Sequence, residues 1–280
     1  MTDVVQKADA AQKTTARPAA ASGFSFSLSA GNFDRIMNVA SPLFLLLLWE
    51  VAARLGWIDV RFFPAPSKIF QTMLTLIENG QLWIHLKSSM YRLWWGFLFG
   101  AIPALLLGIS MGLSRPLRAI CDPLVAATYP IPKSAILPLI LLIFGLGEAS
   151  KIVMVAIGLF YPILINTMAG VLEIPKIYFD VSKNFGASRF QVFRTVALPG
   201  AMPMIMTGVK LGVGLGLILI SLAEMVGAKS GLGYMMWNAW EILSVETMYV
   251  GLIVIAALGV VFTLILNEIE RYLVPWKNTR

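Results

Sequence analysis

The chain has little of what soluble enzymes use for chemistry. Its 280 residues include one cysteine, Cys121, and one histidine, His85, and only 13% of the residues are charged. A single cysteine excludes an internal disulfide. Because His, Cys, Asp and Glu residues form no cluster in the sequence, neither a metal site nor a set of acid–base groups is expected. We therefore predict that this chain is not an enzyme.

A nucleotide-binding loop is also missing. The pattern G-x4-G-K-[ST] does not occur, and its nearest approach, from Gly145 to Ile152, has Ser150 and Ile152 where glycine and a hydroxyl residue are needed. We expect no cofactor in this chain. Any energy taken from ATP must enter through another polypeptide.

Apolar residues are abundant instead. They make up 58% of the chain, and the mean hydropathy is +0.78, so too little polar surface remains to cover the protein in water. Runs of about 20 apolar residues predict membrane spans. The predicted spans are 36–56, 93–113, 119–146, 152–172, 200–226 and 248–268. Since these runs lack the alternation of barrel strands, we predict an all-α integral membrane protein with six transmembrane helices.

The basic residues fit membrane topology better than nucleic-acid binding. The net charge is +7, but the Lys and Arg residues are scattered in short loops beside the spans. They are more frequent in segments that are inside when both termini are cytoplasmic. We predict that orientation, with a disordered cytoplasmic tail at 1–30, a permease domain at 31–275 and a short cytoplasmic tail at 276–280.

Small residues recur every fourth position in two spans, and an amphipathic helix is predicted before the second span. The small residues are Gly96, Gly100, Ala104, Gly108 and Gly112, followed by Gly208, Gly212 and Gly216. Such faces let a neighbouring helix approach closely.

The amphipathic helix is predicted from about Pro64 to Gly80. In the first span, Glu50 and Arg54 are spaced to pair on one helix face.

The third span is interrupted by prolines. Tyr129, Pro132, Lys133 and Ser134 lie at the interruption, and Pro138 follows as a second expected break. Broken helices in membranes commonly line a cavity, and charges there are candidates for function. The candidate translocation residues are Tyr129, Pro132, Lys133, Ser134, Lys210, Ser221 and Glu224. Two structural interpretations stay open: snorkelling of Lys133 or Lys210, and a Lys133–Glu224 ion pair.

The polar loop 172–199 separates two spans. It holds Gly186 and, after nine intervening residues, Val196, Leu198 and Pro199. Gly186 permits a turn between two short helices, and Pro199 suits the first turn of the next span. This loop resembles the E-A-A-x3-G-x9-I-x-L-P coupling loop of permease subunits in ATP-binding-cassette importers, with Asp180-Val181-Ser182 in place of E-A-A. The candidate coupling residues are Asp180, Phe185, Gly186, Ala187, Ser188, Arg189, Val196, Leu198 and Pro199.

Other segments resemble the permeases of aliphatic sulfonate, taurine and nitrate importers. They are 129–133, 137–139, 144–148, 223–225 and 231–233. The resemblance implies a type I importer permease of the cell (inner) membrane: a homodimeric pore with two cytoplasmic ATPase subunits, which bind ATP and Mg, and an external solute-binding protein. The mechanism would be alternating access.

The solute and the transport class have alternatives. A small anion is the expected solute, and a neutral heterocyclic solute such as a thiamin precursor is the alternative within the same importer type. Outside that type, Glu224 and Lys133 would serve as the relay of an ion-coupled secondary transporter. No convincing internal repeat supports that class, and the scarcity of clustered polar groups weighs against a membrane-embedded enzyme.

Overall fold

A computed structural model describes residues 30–276, apart from the side chains of residues 30–36, 38 and 39. The helices are α1 (Ala30–Arg54), α2 (Pro66–Glu78), α3 (Gln81–Leu113), α4 (Arg115–Thr128), α5 (Leu137–Phe144), α6 (Glu148–Leu172), α7 (Lys176–Asn184), α8 (Arg189–Val192), α9 (Leu198–Met225), α10 (Leu232–Glu241) and α11 (Val245–Leu273). A 3-10 turn, Lys133–Ile136, precedes α5, and a π-helical turn, Phe193–Ala197, joins α8 to α9. The described part of the chain contains no strand, which confirms the all-α prediction.

Most of the predicted spans coincide with long apolar helices. Among the described residues, four segments are long and apolar enough to cross a membrane: Gln81–Leu113, Glu148–Leu172, Arg189–Met225 and Val245–Leu273. A fifth is formed if the bent pair Arg115–Thr128 and Lys133–Phe144 is one span. The first predicted span falls on α1, which contains the run Leu43–Leu48. The predicted tail at 1–30 lies almost wholly outside the described residues.

The chain divides within α1, with one unit ending at Leu48 and a second beginning at Trp49. At the start of the second unit, Arg54 Nε donates to Glu50 Oε1 at 2.5 Å, which confirms the predicted pair. The same carboxylate accepts hydrogen bonds from the backbone N–H and hydroxyl of Ser67 at 3.0 and 2.8 Å. Because the first N–H groups of a helix lack internal partners, Glu50 caps the start of α2. The predicted amphipathic helix is confirmed as α2, which buries Ile69 and Leu76.

Helix α6 lies between α3 and α9, and both helices turn their glycines towards it. A Cβ atom placed on Gly96 would lie 2.5 Å from Val155 Cβ, and one on Gly100 would lie 2.5 Å from the carbonyl oxygen of Ala156. On the α9 side, a Cβ on Gly208 would lie 2.9 Å from the carbonyl oxygen of Pro162. The predicted packing role of both glycine series is confirmed, because only a hydrogen side chain allows these backbone distances.

The start of the second predicted span and the number of breaks in the third differ from the structure. The second span begins at Gln81 rather than at 93, and two polar side chains between residues 81 and 92 are covered by other helices instead of marking a loop. Ser89 and Arg92 are each 1% exposed there. The third span has one sharp bend of 86°, not two breaks. Pro138 lies in the first turn of α5, where its missing N–H costs nothing.

Gly100→Ala tests the close approach of α3 to α6. The added methyl would meet backbone rather than a flexible side chain, so we expect a loss of about 1–3 kcal/mol in the free energy of unfolding, as for other overpacked cores. Thermal unfolding in detergent measures this change. Gly214→Ala is the matched control, since a Cβ on Gly214 has no atom within 4 Å. Equal unfolding temperatures for the two variants would contradict the proposed packing constraint.

Candidate functional site

The loop after α6 folds as two short helices joined at Gly186. Helix α7 ends at Asn184, and Gly186 has φ 70°, a left-handed conformation that glycine adopts without strain. The N–H of Ala187 donates to the carbonyl of Ser182 at 2.9 Å and closes the turn. Helix α8 then begins with a reciprocal cap between Ser188 and Gln191. The helix–turn–helix expected from the sequence is therefore present.

The turn exposes apolar side chains on an otherwise polar segment. Phe185 is 88% exposed, and Phe190 is 68% exposed and stacks on Phe193 with ring centroids 6.2 Å apart. The charged candidates Asp180 and Arg189 are also exposed. Exposed aromatic side chains grouped with charges are typical of protein interaction surfaces. The loop thus has the composition of a docking element.

The last residues of the loop connect it rigidly to α9. Ala197 is fully buried, Val196 and Leu198 are half-buried, and Pro199 occupies the first turn of α9. The segment from Arg189 to Met225 counts as one continuous 37-residue helix. No flexible linker therefore lies between this end of the loop and α9.

The proline-rich break leaves backbone carbonyls to be satisfied. Pro130 and Pro132 have no N–H group, so the α4 helix cannot continue through them. The ammonium of Lys133 donates to the carbonyl oxygens of Thr128, Tyr129 and Ile131 at 3.1, 2.8 and 2.9 Å. Unsatisfied carbonyls in a membrane cost several kcal/mol each. Lys133 therefore holds the bend together.

Aromatic rings also surround the Lys133 ammonium. The nitrogen lies 4.3 Å from the ring centre of Tyr161 and 5.8 Å from that of Tyr129. The Tyr161 ring on α6 is thus a cation–π partner of the lysine. The sequence interpretation in which Lys133 pairs with Glu224 is wrong, because Glu224 is buried among other partners.

Glu224 lies at the centre of a buried polar network. The hydroxyl of Ser89 lies 2.9 and 2.8 Å from the two oxygens of the Glu224 carboxylate and shares its one hydrogen between them, and Arg92 Nη1 donates to the same carboxylate at 2.8 Å. The N–H of Gly233, in the first turn of α10, also donates to it at 3.0 Å. Glu224 has no exposed surface. The network satisfies a charge that would otherwise be very costly to bury.

Arg92 connects that carboxylate to two loops. Its Nε and Nη2 atoms bind both oxygens of Glu148 at 2.6 and 2.7 Å, and Nη1 donates to the carbonyl of Ser230 at 2.6 Å. Lys151, one turn after Glu148, donates to the carbonyls of Leu146 and Gly227. Two buried cations therefore join the loop before α6 to the loop before α10. We call Ser89, Arg92, Glu148, Lys151 and Glu224 the polar network.

Sequence reasoning did not identify Arg92 or Lys151 as site residues. Arg92 directly precedes the predicted second span, 93–113. A usable signal existed, because Arg92 precedes Gly96 by four residues and so continues the small-residue face of α3 towards α6. Its partners lie 56 and 132 residues away in the sequence, where local patterns carry no information.

The remaining pathway candidates are separated in space. Lys210 pairs with Glu270 of α11, and the hydroxyl of Ser221 donates to the carbonyl of Leu217 within α9 at 2.8 Å. Ser221 borders an apolar pocket with Trp237 and Trp240. In contrast, Tyr129, Lys133 and Ser134 line one cavity. The structure thus brings together only some of the seven candidates.

The fold and the loop define a class of transport protein, and comparison with known proteins agrees. Residues 104–278 match the family described as "Binding-protein-dependent transport system inner membrane component". The chain belongs to this family, and it is the membrane-embedded permease subunit of an ATP-binding-cassette transporter of the inner membrane.

The relatives with known names are permeases as well. The chain is 34% identical to the taurine transport system permease protein of Escherichia coli (strain K12), over 86% of this chain and 89% of that protein. It is 33% identical to a putative aliphatic sulfonates transport permease protein of Bacillus subtilis (strain 168), over 85% and 86%.

A solved structure has the same fold. An inward-facing structure of the MetNI methionine ABC transporter matches with a TM-score of 0.59 at 22% identity, over 69% of this chain and 97% of that chain. At this identity the match shows the fold alone. It supports the type I importer architecture that the loop 172–199 predicts.

Arg92→Met tests the polar network. The substitution leaves Glu224 buried without its cation, so we expect a loss of about 3–5 kcal/mol in the free energy of unfolding, measured by thermal unfolding in detergent. Arg61→Met is the control. Arg61 also pairs with a carboxylate, and its hydrogen bonds lower the pKa of Asp59, but both side chains are exposed and little stability should change. Comparable losses for the two variants would refute the network's structural role.

Lys133→Met tests whether the ammonium stabilises the bend. Three carbonyls lose the hydrogen bond from the ammonium, while the apolar stem of the side chain is kept. We expect local loosening, seen as at least tenfold faster hydrogen exchange for amides 133–137 with little change elsewhere. Lys229→Met, at an exposed loop position, should leave that exchange unchanged. Unchanged protection in Lys133→Met would show that the bend does not need the ammonium.

Proposed function

We propose that this chain is one half of the pore of an ATP-driven importer for a small organic solute of the alkanesulfonate type, which carries an anionic sulfonate group. The observation that carries the proposal is the helix–turn–helix at Gly186, which exposes Phe185 and continues directly into α9. The names of the relatives, taurine and aliphatic sulfonate permeases, support the solute class.

ATP hydrolysis takes place on partner subunits in this proposal. Two cytoplasmic ATPase subunits bind ATP and Mg, since this chain has no nucleotide-binding motif. Each ATPase receives one loop, with Phe185 and Phe190 entering a groove and Asp180 and Arg189 contacting its rim. The loop and both termini are then cytoplasmic, and an external solute-binding protein docks on the opposite side.

The pore itself needs a second copy of the chain. Helix α9 leaves Leu211, Leu215, Ile218 and Leu222 exposed on one face. This face continues into a cavity whose lining residues include Tyr129, Ser134 and Tyr161, each with a hydroxyl group. Hydrocarbon could not satisfy those hydroxyls. We therefore place the face towards the twofold axis of a homodimer rather than towards lipid.

Movement passes from the loop to the pore through packed helices. When ATP draws the ATPase subunits together, the two loops approach each other and each tilts its α9 as a rigid element. Helix α6 follows, because the glycine contacts leave no free space between it and α9. The pore opens outward to accept solute, and hydrolysis returns it to the inward-open state. This is alternating access between two packed arrangements.

The role of each pathway candidate follows from its contacts. We assign Tyr129, Pro132, Lys133 and Ser134 to the pathway wall. Lys210 and Glu224 are held by Glu270 and Arg92, and we assign them to the frame around it. An ion-coupled relay between Lys133 and Glu224 is disfavoured, because neither group contacts the other and each has a full set of partners.

Gly186→Val tests the coupling role. A Cβ at Gly186 has no atom within 4 Å, so only the positive φ opposes the substitution. Valine in this conformation costs about 1–2 kcal/mol and re-aims Phe185. We expect the variant to lose co-purification with the cognate ATPase and ATP-dependent uptake of taurine into proteoliposomes.

Gly186→Asn is the matched control, because asparagine tolerates the left-handed conformation and should keep the complex. The purified wild-type complex should contain two permease and two ATPase chains by mass. A Gly186→Val protein that assembles and transports as well as the wild type would overturn the coupling proposal.

A further inference from the structure

A cavity of about 420 Å³ lies beside the proline-rich break. Tyr129, Lys133 and Ser134 form one wall, Tyr161 of α6 forms the second, and Leu215 and Ile218 of α9 form the third. Its size falls within the range of small-molecule sites. We call it the hydroxyl cavity, because three of these six residues carry hydroxyl groups.

The three hydroxyls of the cavity have no hydrogen-bond partner within the described part of the protein. The hydroxyls of Tyr129, Ser134 and Tyr161 form no such bond, whereas most hydroxyls of membrane helices here donate to a carbonyl one turn earlier, as Ser110 does to Leu106. A hydroxyl without a partner in a membrane is costly unless it contacts water or a solute. Three free donors in one cavity indicate a polar occupant.

The cavity is lined by one positively charged group, the Lys133 ammonium, but the hydrogen-bond donors of this group are already used. All three donors of the Lys133 ammonium go to backbone carbonyls. No Asp or Glu lines the cavity, so its potential stays positive. An anion there would receive hydrogen bonds from neutral hydroxyls and a favourable field from the lysine, without a direct ion pair.

We propose that the hydroxyl cavity is a transient binding site for the sulfonate head group of the transported solute. This rests on the proposed function. The hydroxyls of Tyr129, Ser134 and Tyr161 donate to the sulfonate oxygens, and the side chains of Leu215 and Ile218 contact the short alkyl part. Tyr161 becomes a further residue that determines which solute passes.

The absence of a direct ammonium contact suits passage rather than capture. A desolvated ion pair holds its partner strongly, whereas a conducting site must bind well enough to admit a solute and weakly enough to release it. Since the carbonyls hold the Lys133 nitrogen in place, the lysine lowers the barrier for the anion without trapping it. Lys133 thus acts on the solute through its electric field, whereas the hydroxyls form the hydrogen bonds to the sulfonate.

Tyr161→Phe and Ser134→Ala test the proposal in the complete transporter. The wild-type or variant permease, its cognate ATPase and its binding protein are reconstituted in proteoliposomes, and radiolabelled taurine uptake is measured together with ATP hydrolysis. Each substitution removes one hydroxyl and keeps the remaining side chain. A hydrogen bond to a charged group is worth about a factor of ten, so taurine moved per ATP should fall about tenfold.

ATP hydrolysis stimulated by the binding protein should remain near the wild-type rate, which a merely structural defect would not allow. Tyr91→Phe, on an exposed face of α3 outside the cavity, is the control and should keep the wild-type ratio of taurine to ATP. If one variant loses its thermal unfolding transition, the other decides the question.

Two failures are distinguishable. If the wild-type complex hydrolyses ATP but takes up no taurine, the proposed function fails for this solute class. If the wild type transports taurine and the two cavity variants keep the same ratio of taurine to ATP as Tyr91→Phe, the proposed function stands and the hydroxyl cavity is not a solute site.

Discussion

The close approach of α3 and α9 to α6 is the constraint on which the other features of the structure depend. At Gly100 the backbone of α3 lies so near the carbonyl of Ala156 that no side chain fits between them. The same approach brings Arg92, one turn before Gly96, next to Glu148 at the start of α6. A wider helix pair would leave that guanidinium buried without its carboxylates, and a buried charge without partners is not tolerated. Close packing and the polar network are therefore one arrangement.

The two ends of the packed helices have different mechanical characters. At one end, Arg92 and Lys151 join the loops before α6 and α10 through carboxylate and carbonyl contacts. At the other end, the loop around Gly186 is exposed and connects to α9 without a linker. A rigidly packed group of helices with one exposed loop is suited to transmitting motion from a partner subunit. The hydroxyl cavity lies beside the bend that the Lys133 ammonium stabilises, and Leu215 and Ile218 of α9 form one of its walls.

Local patterns predicted the elements that local physics controls. Apolar length predicted the spans, the four-residue spacing from Gly96 predicted a packing face, and Gly186 with Pro199 predicted the turn and the start of α9. The start of α3 was misplaced, since Ser89 and Arg92 look like loop residues until the helices that cover them are known. The Lys133–Glu224 pair was a reasonable expectation for two membrane charges, yet Lys133 has nearer partners in the backbone carbonyls of the proline-rich break.

The amino-acid sequence by itself determined the class of this protein: a helical membrane subunit with a helix–turn–helix loop between two spans, because hydropathy, helix breaking and turn conformation act over a few residues. Only the tertiary structure decided which charge pairs with which, since Arg92, Glu148 and Glu224 come from three helices far apart in the chain. It also decided that Tyr161 shares a cavity with Tyr129 and Ser134. Burial decides these pairings, because in a low-dielectric interior a polar group must bind the partner that helix packing brings within hydrogen-bond distance.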